Sequence, residues 1–119
     1  MVRINKINEQ LKREISIIIQ QELQDPRLAF LSITAVDTSK DLKHAKVFFS
    51  VLGSEQKLKQ AQDSLKSARG LIRKMVAQRV IMRYNPELIF IYDDSIEQSF
   101  RLEQTLKEIK EEDEKKKFG

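Results

Sequence analysis

Residues Lys57–Arg83 read KLKQAQDSLKSARGLIRKMVAQRVIMR. Eight cations stand here against one anion, Asp63, a local charge of +7 in a chain whose net charge is +4. Leu58, Ala61, Leu65, Ala68, Ile72 and Met75 recur at gaps of three and four, which places them on one face of a helix. Lys59, Lys66 and Arg73 are seven residues apart and fall roughly opposite that stripe. The stretch therefore predicts a helix with one buried side and one electropositive side. Glycine costs about 1 kcal/mol against alanine inside a helix. Ala68-Arg69-Gly70 thus suggests a kink dividing the stretch into two helices, or a close approach by another backbone.

Gly53-Ser54 breaks the chain before this helix, and Ser54 is a candidate N-cap. His44–Leu52 (HAKVFFSVL) alternates, with Ala45, Val47, Phe49 and Val51 on one face. Leu31–Val36 (LSITAV) predicts a partner strand with Leu31, Ile33 and Ala35 inward, and the turn chemistry of residues 37–41 makes the pair an antiparallel hairpin. Residues 3–23 have a helical stripe of Ile4, Ile7, Leu11, Ile15, Ile18 or Ile19, and Leu23. Asp25-Pro26 ends that helix, because a residue before proline is pushed out of the α region. Downstream, Leu88–Tyr92 (LIFIY) is apolar throughout, as in a strand buried on both faces or at a sheet centre. Asp93-Asp94-Ser95 opens a last helix carrying Ile96, Phe100, Leu106 and Ile109. The order is α-β-β-α-(kink)-α-β-α, an α+β two-layer domain over residues 1–110. Residues 111–119 (EEDEKKKFG is residues 111–119) have no apolar face and are expected to be a disordered tail.

Composition and charge narrow the function. The chain has 119 residues, 40% hydrophobic and 34% charged, with a pI near 9.4. It has no cysteine, which excludes disulfides and thiolate metal sites. No apolar run is long enough to span a membrane, and the opening Met1–Lys6 leads straight into helix pattern, so no signal peptide is expected. Residues 84–119 carry −4, so the charge is split between a basic centre and an acidic end. A cationic helix face is the usual footprint of a polyanion site; Lys59, Lys66, Arg69, Arg73, Lys74 and Arg79 are the candidate RNA contacts. Chemistry of other kinds lacks its parts. His44 is the single histidine and reads as a surface or structural residue. Asp93-Asp94 with Glu97 could form a carboxylate metal site, but Asp94 or Ser95 reads as the cap of the last helix and Glu97 as a first-turn complement to its dipole. The chain has three glycines, Gly53, Gly70 and Gly119, and no phosphate-cradling loop. Phe48 reads as a core residue, with base stacking as the alternative. The chain is expected to be a binder with no catalytic residue, metal or cofactor.

Several segments together resemble a known family. LKREI (Leu11–Ile15), QELQDPRL (Gln21–Leu28), SKDLKHAKVFFSVLG (Ser39–Gly53), SARGLIRK (Ser67–Lys74) and NPELIFIYDDSIEQSFRLEQ (Asn85–Gln104), in this spacing, resemble bacterial ribosome-binding factor A. Ser99 departs from the pattern, where glycine is expected. The resemblance implies a KH-like fold of the second type in which a helix kink, here Ala68-Arg69-Gly70, replaces the Gly-x-x-Gly loop. It also implies a cytoplasmic, non-enzymatic assembly factor, expected to be a monomer. Such a factor binds the free small ribosomal subunit and its ribosomal RNA, assists late maturation and 5′-end processing, and matters in the cold. Two other readings of the residues stay open: a KH-like binder of messages, and a protein-interaction module whose acidic last helix recruits a partner.

Overall fold

The computed structural model describes residues 2–94, with side chains from Ile4 onward. The expected last helix and the tail at 111–119 lie outside the described residues. Helix α1 spans Val2–Ile17 and runs directly into a π-helical turn, Ile18–Glu22. The turn closes where the Leu23 N–H donates to the Ile18 carbonyl at 3.0 Å. A π turn is wider than an α turn. It brings two consecutive side chains, Ile18 and Ile19, into the core together, where helical spacing alone had offered one or the other.

Gln24 then takes a left-handed φ of 49° and Asp25 is extended, as a residue before proline must be. Pro26–Leu28 forms one 3-10 turn capped by the Asp25 side chain. Strand β1, Leu31–Thr38, pairs antiparallel with β2, His44–Val51. Helix α2, Glu55–Arg79, crosses over to β3, Glu87–Tyr92, which pairs parallel to β2. The sheet order is β1-β2-β3. These elements form the α+β KH-like domain that the resemblance implies.

Three expectations need correction. First, α2 is one uninterrupted helix of 25 residues, not two segments divided at Ala68–Gly70. Among the described residues nothing lies within 4 Å of where a Gly70 side chain would begin, so none of their backbone approaches it. Good helix formers on both sides and the buried stripe carry the helix through a single glycine. Second, among the described residues β3 is an edge strand and β2 holds the centre. Leu88 is buried while Ile89 is 37% exposed. A continuous apolar run cannot distinguish a central strand from an edge strand lying under a crossover. Third, Ala35 points outward. A β-bulge between Ile33 and Ala35 leaves Thr34 without a partner on β2 and shifts the alternation by one. Leu31 and Ile33 face the core before it, Val36 and Thr38 after it.

The core lies between one sheet face and the two helices. Leu11, Ile15, Ile18 and Ile19 meet Ala45, Val47 and Phe49 of the central strand and Ala61, Leu65, Ile72 and Val76 of α2. The expected α2 stripe is present, with Leu58, Ala68 and Met75 half-buried at its margins. Phe48 lies outside this core, half-buried on the other sheet face, because its strand neighbours Val47 and Phe49 take the inward positions.

Candidate nucleic-acid interface

Burial of the α2 stripe dictates what the opposite side displays. Ser54 caps the helix by accepting from the Lys57 N–H at 3.3 Å, which fixes the phase in which the later residues emerge. Lys59, Lys66, Arg69, Arg73 and Lys74 are all exposed. Lys59, Lys66 and Arg73 form a row along about 21 Å of helix axis, with Arg69 about 40° from it and Lys74 about 100° round from Arg73. None of Lys59, Lys66, Arg69 and Lys74 is ion-paired to a carboxylate among the described residues. Arg73 donates through Nη2 to the Asn85 carbonyl at 2.8 Å. This acceptor is neutral, and no carboxylate among the described residues pairs with Arg73.

Arg79 stands apart from the other candidates. Its guanidinium is paired with Glu22 and lies 3.5 Å from Glu14, and it is 29% exposed. The Glu22 and Glu14 carboxylates hold its pKa above the ordinary value. Arg79 therefore ties α1 and its π turn to the end of α2, and its charge is compensated within the fold.

A second polar link joins the same layers. Asp25 accepts from the Arg27 side chain, with Nη2 at 2.9 Å, and from the buried Ser64 hydroxyl of α2 at 2.5 Å. The Arg27 guanidinium, the Ser64 hydroxyl and the Arg27 backbone N–H hold the Asp25 carboxyl well below the usual carboxylate range. This carboxylate is engaged on every side and is suited to structure rather than proton transfer. The hollow beside it, lined by Gln20, Gln24 and Ala29, holds no second titratable side chain.

His44 is half-exposed at the start of β2, with Nε2 3.9 Å from Glu87. Asp93 accepts from the Thr34 hydroxyl at 2.9 Å. Among the described residues no group of three metal-ligating side chains occurs, and no helix is long and apolar enough to cross a membrane.

Sequence reasoning missed one aromatic at the end of the cationic row. Tyr84 is 42% exposed and lies near Lys43 and Arg83, with Lys43 Nζ 5.7 Å and Arg83 Cζ 5.5 Å from the ring centroid. Its one signal in sequence is its place in a loop between an apolar helix end and Asn85-Pro86.

The domain, the cationic face and the two interlayer links can be set against known proteins. A family model described as ribosome-binding factor A matches residues 3–106. The chain belongs to the ribosome-binding factor A family. A Halothermothrix orenii ribosome-binding factor A is 48% identical over 112 residues, covering 94% of this chain and 92% of that one. The Acetivibrio thermocellus ribosome-binding factor A is 53% identical over 98 residues, covering 82% and 80%. The crystal structure of ribosome-binding factor A from Thermus thermophilus superimposes with a TM-score of 0.68 at 34% identity, covering 75% of this chain and 94% of that one. A homology model of the Thermus factor fitted into a cryo-EM map of a complex with the 30S subunit gives a TM-score of 0.62, also at 34% identity, covering 73% and 91%.

Proposed function

We propose that this chain is an assembly factor that binds the free small ribosomal subunit and contacts its ribosomal RNA through the solvent face of α2. The observation that carries the reading is the row of exposed cations on that face, without carboxylate partners among the described residues. Such a row neutralises phosphates and positions a protein on RNA without reading bases. A relative fitted to a 30S complex supports the choice of partner. Assistance to late maturation, processing of the RNA 5′ end and importance in the cold rest on the family resemblance, as does action in the cytoplasm as a monomer without catalysis. Lys59, Lys66, Arg69, Arg73 and Lys74 are the contacts. Arg79 belongs to the fold.

The test is subunit binding as a function of salt. Each phosphate contact contributes a slope of about −0.7 for single-stranded RNA. The side chains of Lys59, Lys66 and Arg69 make no hydrogen bond or ion pair among the described residues, so replacing all three by glutamine should leave stability within about 0.5 kcal/mol. The triple variant should bind free small subunits more weakly and flatten the slope by roughly 2. A folded variant with wild-type affinity and slope would remove the α2 face from the interface. Sedimentation of extract separates the subunit from messages as the partner: the factor should migrate with free small subunits.

A further inference from the structure

Three separate segments converge at one end of the cationic row. Arg73 of α2 reaches the Asn85 carbonyl at 2.8 Å. The preceding residue, Tyr84, lies within 6 Å of Lys43 from the β1–β2 turn and Arg83 from its own loop. The Glu87 N–H donates to the Lys43 carbonyl at 2.8 Å, fixing the turn against the start of β3. The loop is anchored from below by buried Val80 and Pro86 and half-buried Met82. It displays Arg83 and Tyr84 to solvent on a supported backbone.

We infer that Tyr84 is a stacking platform for one unpaired RNA base, with Lys43, Arg83 and Arg73 taking the flanking phosphates. The inference rests on the RNA reading above and extends it from charge to a defined subsite. Every base has a π face, so an aromatic ring amid cations favours single-stranded RNA without strict sequence choice. In the free protein the cations sit near the ring at 5.7 and 5.5 Å. A base stacking on the ring displaces one of them, and the released cation meets the phosphate that arrives with the base. The exchange keeps the ring covered in both states. Two carboxylates flank the turn, Asp41 accepting from the Lys43 backbone N–H at 3.0 Å and Glu87 3.9 Å from His44, and among the described residues neither is ion-paired with Lys43, Arg73 or Arg83. A duplex offers no such base, so the subsite discriminates between paired and unpaired RNA.

The probe is a short oligouridylate, free and paired with its complement. The chain has two tyrosines and no tryptophan, so a Tyr92→Phe background leaves Tyr84 as the one tyrosine emitter. In that background the free oligouridylate should quench tyrosine emission and the duplex should not. Tyr84→Ala should weaken binding of the free strand roughly five- to hundredfold, and Tyr84→Phe should bind within about twofold of wild type because the ring remains. Circular dichroism confirms that each variant is folded. Unchanged affinity in Tyr84→Ala, or emission unaffected by the free strand, would overturn the subsite. If Tyr84→Ala is silent while the Lys59, Lys66 and Arg69 triple variant loses binding, the subsite fails and the α2 reading stands. If neither variant loses binding to oligouridylate or to subunits, the RNA reading itself fails and takes the subsite with it.

Discussion

Replacing Ser64 by alanine tests whether the Asp-Pro turn is held to α2 by one polar contact. Ser64 is 1% exposed and its hydroxyl donates to the Asp25 carboxylate at 2.5 Å across 39 residues of chain. A hydrogen bond to an ionised group contributes about 1.5–3 kcal/mol. Asp25 keeps its bonds to Arg27, so it is not orphaned, and the low end applies. Alanine also gains up to about 0.5 kcal/mol of helix propensity over serine. The expected net loss is roughly 1–2 kcal/mol, or a melting point lower by about 4–15 °C for a domain of this size. The assay is urea unfolding at neutral pH, with m-values compared so that a shifted midpoint is read as stability. A pH series supplies the control. Asp25 titrates lower in the folded state than in the unfolded chain, where the carboxyl protonates near pH 3.9. Its contribution is complete above that pH and declines as pH falls toward the folded value. The stability gap between wild type and Asp25→Asn should therefore be flat above about pH 5 and narrow below about pH 4. A Ser64→Ala variant within 0.5 kcal/mol of wild type, or an Asp25→Asn gap that widens in acid, would refute the reasoning.

Two further outcomes follow from α2. Gly70→Ala should raise stability by about 0.5–1 kcal/mol, since the site is helical and open; a loss in urea unfolding would mean that the helix needs glycine there. Arg79→Met should lower the unfolding midpoint yet leave the salt slope of subunit binding at its wild-type value, whereas Arg69→Gln should flatten that slope by about 0.7; a flattened slope in Arg79→Met would return Arg79 to the interface.

The parts of the fold visible in sequence are those set by periodicity. The α2 stripe, the alternation of β2 and the stop at Asp25-Pro26 each depend on neighbours within a few residues. What escaped depends on distant ones. The bulge at Thr34 shows only in how β1 pairs with β2, and nothing in LSITAV marks the extra residue. The edge position of β3 depends on where the α2 crossover lands, which an apolar run does not encode. Arg79 looked like Lys66 in sequence because both are cations on one helix. Only the fold brings Glu14 and Glu22 to one of them. Gly70 misled in the opposite direction, since a local cost of about 1 kcal/mol is small against the burial of Leu65, Ile72 and Val76 on either side.

Thr34 changes how the first strand should be viewed. Without it, Ile33 would be followed by Ala35, and the inward and outward positions would alternate from Leu31 to Thr38 in the register the sheet already has, Ile33 opposite Phe49 and Ala35 opposite Phe48. The sheet has no use for the residue. Thr34 is a surplus letter that leaves the sense of the strand intact. What it adds is a hydroxyl aimed at Asp93, where the chain leaves β3. The departing chain is thus moored to the far edge of the sheet, across the central strand, by a residue the sheet itself could spare.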